Sequence, residues 1–132
     1  MSDTAPIPES HRDLTDRKVG VLCTVGRSGR PQATAVWFML DDDGIIRTSL
    51  LDSRQKTKNL LAHPKATMFV IDATNPMRTL EMRCDATISD DPDLTMMKRI
   101  VTHYGMDFET FPAPKDGRVT LTLTPRRVVA NG

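Results

Sequence analysis

Six short apolar runs recur along the chain at near-regular intervals, each closed by turn-forming residues, and this punctuation restricts the fold more than any other feature. Val19 to Val25 ends at Gly26-Arg27-Ser28-Gly29-Arg30-Pro31, and Gln32 to Leu40 ends at the acidic turn Asp41-Asp42-Asp43-Gly44. Ile45 to Leu51, Ala66 to Asp72, Thr79 to Ile88 and Arg118 to Thr124 follow. Strands at this spacing predict a six-stranded antiparallel meander closing into a small barrel, with two or three short helices between strands. The fifth run alternates strictly: Leu80, Met82, Cys84, Ala86 and Ile88 share one face, opposite Thr79, Glu81, Arg83, Asp85 and Thr87. Val119, Leu121 and Leu123 alternate with threonines in the same way, as half-buried strands do.

The second and fourth runs are apolar on both faces. Val36, Phe38 and Leu40 oppose Ala33, Ala35, Trp37 and Met39, and Thr67, Phe69 and Ile71 oppose Met68 and Val70. A small barrel has one interior, so the second apolar face calls for a cover. A second copy of the chain is the simplest, giving a homodimer.

At 132 residues the chain has room for one core, and residues 1–132 are read as a single domain with a flexible lead-in over 1–12. Eighteen Lys and Arg against seventeen Asp and Glu leave a net charge of +1, too little basic excess for a nucleic-acid binder. One Trp, one Tyr and four Phe are also too few for a base-stacking platform. No apolar run approaches membrane-spanning length, so no membrane partner is expected. The start carries no signal-peptide pattern. Cys23 and Cys84 are far apart and suit a cytoplasmic, reducing setting. His11, His63 and His103 are scattered, and no metal site is read.

Two helices interrupt the strands. The later one obeys every local rule: Asp91 as cap, Pro92 at its first position, a stripe of Leu94, Met97, Ile100, Val101 and Tyr104, and a stop at Gly105. The earlier one, from Asp52 or Ser53 to His63-Pro64, does not. Arg54, Lys56 and Lys58 crowd its positive end, and no acidic residue lies between Ser53 and Ile71. Each misplaced charge costs about 0.3–1 kcal/mol, and such violations mark functional sites. With Ser49 and Thr57 adding hydroxyls, the cluster suits an anion, phosphate first. A solvated basic helix face fits the same pattern. On the second strand, Ala33 and Ala35 leave a shallow floor beside Trp37 that suits a flat ring, although Trp37 in a core or an interface fits as well.

These residues resemble a known family. Gly29-Arg30-Pro31-Gln32-Ala33-Thr34-Ala35-Val36-Trp37-Phe38 is similar to the second strand of the pyridoxamine-phosphate-oxidase-like, FMN-binding type of split β-barrel. Ser53-Arg54-Gln55-Lys56-Thr57-Lys58-Asn59-Leu60 with His63-Pro64 resembles the branch that uses the deazaflavin coenzyme F420. The resemblance runs from about Asp13 to Val129. It implies a mainly β fold and a homodimer with two cofactor sites at its interface. It further implies a phosphate held by Ser49, Arg54 and Lys56 with Thr57 and Lys58 beside them, and a ring lined by Ala35, Val36 and Trp37. The implied activity is an F420-dependent oxidoreductase passing hydride to an unsaturated or quinone-like small molecule. The alternatives are an FMN-binding oxidoreductase of the same fold and a non-catalytic F420 carrier. The branch also has room for a polyglutamate tail, which exposed Arg30 or Lys58 would favour. No catalytic residue is singled out: Arg78, His103 and Tyr104 are the candidate proton donors. The Gly105 to Gly117 loop, with Phe108, Phe111, Pro112 and Pro114, is the candidate pocket border.

Overall fold

Alternation that buries one face of each strand produces, in the computed structural model of residues 4–132, a single curled antiparallel sheet. Its strands are β1 (Val19–Val25), β2 (Pro31–Trp37), β3 (Met39–Leu40), β4 (Ile46–Leu51), β5 (Lys65–Asp72), β6 (Asn75–Asp90) and β7 (Arg118–Asn131). They lie in the order β2-β1-β5-β6-β7-β4-β3. The sheet is a half-barrel, mainly β, of the split-barrel type. Leu22, Phe38, Ile46, Met68, Leu80, Met82, Leu121 and Leu123 are fully enclosed, each adding roughly 1.5–3 kcal/mol through burial.

The sheet has seven strands rather than six because the expected second strand is divided at Phe38. Its two pieces lie at opposite edges of the sheet, so this one residue carries the chain across the opening. There the Phe38 N–H donates to the Tyr104 hydroxyl at 2.9 Å, and the same hydroxyl lies 2.9 Å from the Phe38 carbonyl. A side chain thus supplies what a neighbouring strand would otherwise give. β7 also outruns its expected end at Thr124. Pro125 has no N–H for the ladder, and the structure places it opposite Cys84 at an irregularity in the β6–β7 pairing.

The lead-in is anchored from Ile7 onward instead of loose to residue 12. Ile7, His11 and Leu14 are buried, and Glu9–Thr15 forms a 3-10 helix. The His11 Nε2 lies 2.8 Å from the Asn131 carbonyl, and Arg78 Nη1 donates to Asp13 and Asp72 at 3.0 Å each. Met1 to Asp3, the rest of that expected segment, lie outside the described residues.

Both helices start later than the sequence suggests. α1 is Gln55–Ala62 and α2 is Thr95–His103. Leu94 sits in the left-handed region at φ 60°, which places Pro92 in a preceding turn. The Asp91 carboxylate still caps α2, accepting from the Met96 and Met97 N–H groups at 3.1 Å. Among the described residues no helix is long and apolar enough to cross a membrane.

On the outer face the two-sided strands stand in register. Val21 lies between Ala35 and Phe69, and Val19 and Ile71 are 55% and 50% exposed. Among the described residues nothing covers this apolar patch.

Candidate functional site

β4 delivers the chain into α1, and three contacts fix where that helix begins. The Thr57 hydroxyl donates back to the Leu51 carbonyl at 2.7 Å. Buried Asn59 donates to Thr24 at 3.1 Å and to Gln32 at 3.3 Å, tying α1 to the β1–β2 hairpin. Arg54 occupies the cap position, no side chain caps the free N–H groups, and the first turn holds no acid. The helix start is therefore an uncompensated positive end.

A cleft of about 240 Å³ opens beside it. Ala35, Val36 and Trp37 of β2 form one side, and Met97, Ile100 and Val101 of α2 form an apolar wall. Ser49, Arg54, Lys56 and Arg118 line it as well, and Phe111, Ala113 and Pro114 of the Gly105–Gly117 loop border it. The sequence-derived loop border thus holds for Phe111 and Pro114. Phe108 instead sits between the ammonium groups of Lys98 and Lys115, 5.4 and 4.6 Å from its ring centre.

Trp37 stands in an aromatic stack. Tyr104 lies parallel to it, with centroids 4.5 Å apart and planes at 4°, and Phe111 is tilted at 5.7 Å. The hydroxyl of Tyr104 is held by backbone, within 2.7 Å of the Lys18 carbonyl besides its Phe38 contacts. Burial pushes that phenol above its ordinary pKa. Tyr104 is a brace for the indole rather than a group facing the cleft.

The cations of the cleft carry the electrostatic signature. Among the described residues, Arg54, Lys56 and Arg118 form no ion pair. Burial first, then the positive charges of Arg54 and Arg118, hold the Lys56 amine below its ordinary pKa. Burial and Arg54 likewise lower Arg118, against an opposing pull from Asp91. Like charges crowded in a half-buried cleft are what an anion relieves. A larger hollow of about 440 Å³ beside Cys23 and His63 lacks this signature. Its Lys65 and Arg126 both pair with Asp85, at 2.7 and 2.9 Å.

Of the residues singled out in the sequence, the structure brings together Ala35, Val36, Trp37, Ser49, Arg54 and Lys56. Thr57 is fully enclosed with its hydroxyl committed to Leu51, and Lys58 borders a separate hollow with Arg27 and Ser28. Helical geometry is the reason, since Thr57 and Lys58 lie about 100° and about 200° around the axis from Lys56, whereas Arg54 precedes the helix. Arg78, His103 and Tyr104 do not line the cleft. Arg78 is held by Asp13 and Asp72, and His103 sits 3.6 Å from Asp16. Arg118 is the residue that sequence reasoning missed. Its one signal is that it opens a strand directly after the bordering loop. Pairing with Leu51 is what brings it to the helix start.

Comparison with known proteins places this arrangement. The chain matches the family described as pyridoxamine 5'-phosphate oxidase over residues 7–131. Its structure superposes on that of an F420 reductase with a TM-score of 0.83 at 33% identity, covering 93% of this chain and 98% of that one. It also superposes on a conserved hypothetical protein of Mycobacterium tuberculosis, at 0.74 and 21% identity over 99% and 88% of the two chains. For a haem storage protein of Vibrio cholerae the values are 0.70 and 20%, over 95% and 94%. The latter two likenesses are likenesses of fold.

Proposed function

Because the chain belongs to the pyridoxamine 5'-phosphate oxidase family, we propose that it is an F420-dependent oxidoreductase acting on an unsaturated or quinone-like small molecule. The single observation that carries this reading is the cleft itself, where unpaired cations at a helix start adjoin a small-residue strand with a braced indole. A phosphorylated ring cofactor presents an anion and a flat ring, which call for those two surfaces. The F420 reductase it resembles at 33% identity supports the deazaflavin over the flavin.

The residues present fit such a cofactor. Arg54 and Lys56 would meet the phosphate, with the Ser49 hydroxyl and the free N–H groups of α1 adding hydrogen bonds. Ala35 would leave its main chain open to ring edges, and the Tyr104 brace would hold the Trp37 indole at one orientation. The α2 wall of Met97, Ile100 and Val101 would exclude water. When bound in reduced form, the deazaflavin supplies a hydride from ring carbon C5. The ionisable side chains lining the cleft are Arg54, Lys56 and Arg118.

Titration with F420 and with FMN, followed through the fluorescence of Trp37, the sole tryptophan, tests the reading. Tight quenching by F420 with a weak FMN response is expected. Preference for FMN would move the protein to the flavin-using reading with its fold unchanged. Tight F420 binding without turnover of any quinone or enone would leave a carrier.

The uncovered outer face of Val19, Val21, Ala33, Ala35, Phe69 and Ile71 supports a second copy of the chain as its partner, in a homodimer. Sedimentation at micromolar concentration should then give twice the 14.7 kDa chain mass, and a monomer would contradict it. The free thiols Cys23 and Cys84 suit a cytoplasmic setting, the second inert because burial pushes it up to about 12.

A further inference from the structure

Building on the cofactor reading above, we infer that Arg118 is a third ligand of the cofactor's anionic group, aimed by the bordering loop and by Ser49. It reaches the start of α1 from β7 because its backbone pairs with Leu51 at the end of β4. Its Nε donates to the Pro114 carbonyl at 2.8 Å, and its Nη1 lies 3.4 Å from the Ser49 hydroxyl. Two directed contacts on one planar group fix its plane, and Nη2 has no hydrogen-bond partner among the described residues.

The contact with Ser49 matters in both directions. By accepting from Arg118, the Ser49 oxygen keeps its own proton free to donate, so both groups can serve one phosphate oxygen. A planar fork with a free arm is the geometry that recognises phosphate, which a lysine at the same place would lack. The site then gathers Arg54, Lys56 and Arg118 around one anion. Because the same guanidinium holds Pro114, the anion and the loop that carries Phe111 share a residue. The chemistry recognised is a phosphate ester on a polyol chain, which deazaflavin and flavin cofactors share.

The test compares wild type, R118Q and R118K with F420, with its phosphate-free deazaflavin chromophore, and with inorganic phosphate. R118Q should weaken F420 binding roughly 10–100-fold while changing the phosphate-free ligand by less than about twofold. It should also reduce the rise in melting temperature expected of the wild type in millimolar phosphate. R118K should recover only part of the F420 affinity. Equal losses for the two deazaflavins, or an unchanged phosphate response in R118Q, would overturn the assignment. Should neither deazaflavin bind the wild type, the cofactor reading fails separately and the phosphate arm alone decides Arg118. A wild type indifferent to phosphate and to F420 would remove both.

Discussion

Replacing Arg54 and Lys56 together by alanine is expected to weaken F420 binding by roughly 10²–10⁴-fold while the protein stays folded. Each charge-assisted hydrogen bond to a phosphate contributes about 1.5–3 kcal/mol, and the double variant removes at least two. Stability should move little, because these charges oppose folding in the free protein. The Lys56 amine has a folded pKa below its ordinary value of 10.5, so the unfolded chain binds its proton more readily. The protonated lysine therefore costs stability at neutral pH, and the cost fades as pH rises from the lowered pKa towards 10.5. Melting curves should show the variant no less stable than wild type at pH 7, with any advantage shrinking in alkaline buffer. Unchanged F420 affinity in the folded variant would refute the phosphate role.

Phe38→Ala is expected to be the most damaging single substitution, lowering stability by about 3–5 kcal/mol against a typical total of about 5–15. The side chain is fully enclosed, and its backbone is the hinge where the two edges of the sheet meet. Removing it leaves a void beside Gly20 of β1, next to a backbone that the Tyr104 hydrogen bonds hold in place. Denaturant unfolding should show the loss as a lower midpoint with an unchanged slope. Phe111→Ala is the contrast, since that ring is only partly buried at the cleft border. It should leave the midpoint near wild type and act on cofactor binding. A Phe38→Ala protein as stable as wild type would show that the strand junction is not a structural keystone.

The strands were legible because burial of one face writes a two-residue period into the chain, as in Leu80, Met82 and Cys84. The candidate cleft was legible for the opposite reason, that Arg54 and Lys56 break the rule for a helix start with no compensation nearby. Lys58 and Thr57 fall outside that cleft because helical phase sends one to solvent and the other inward. Burial of Ile7 and His11 within the lead-in was not legible, because what they meet lies far along the chain, as with His11 and Asn131.

What the sequence determined by itself was everything set by neighbours along the chain: strand periodicity, turns, the stop of α1 before Pro64 and the charge conflict at its start. Tertiary structure decided what depends on register. Phe38 divides a strand only because Tyr104 comes to meet it from the end of α2. Arg118 joins Arg54 and Lys56 only because β7 pairs with β4 so that Leu51 and Arg118 are opposite. A shift of that pairing by one residue would turn Arg118 to the other face of the sheet, and nothing local to Arg118 specifies the register. It is fixed by the burial of Ile46, Leu121 and Leu123 in a core that the whole chain builds.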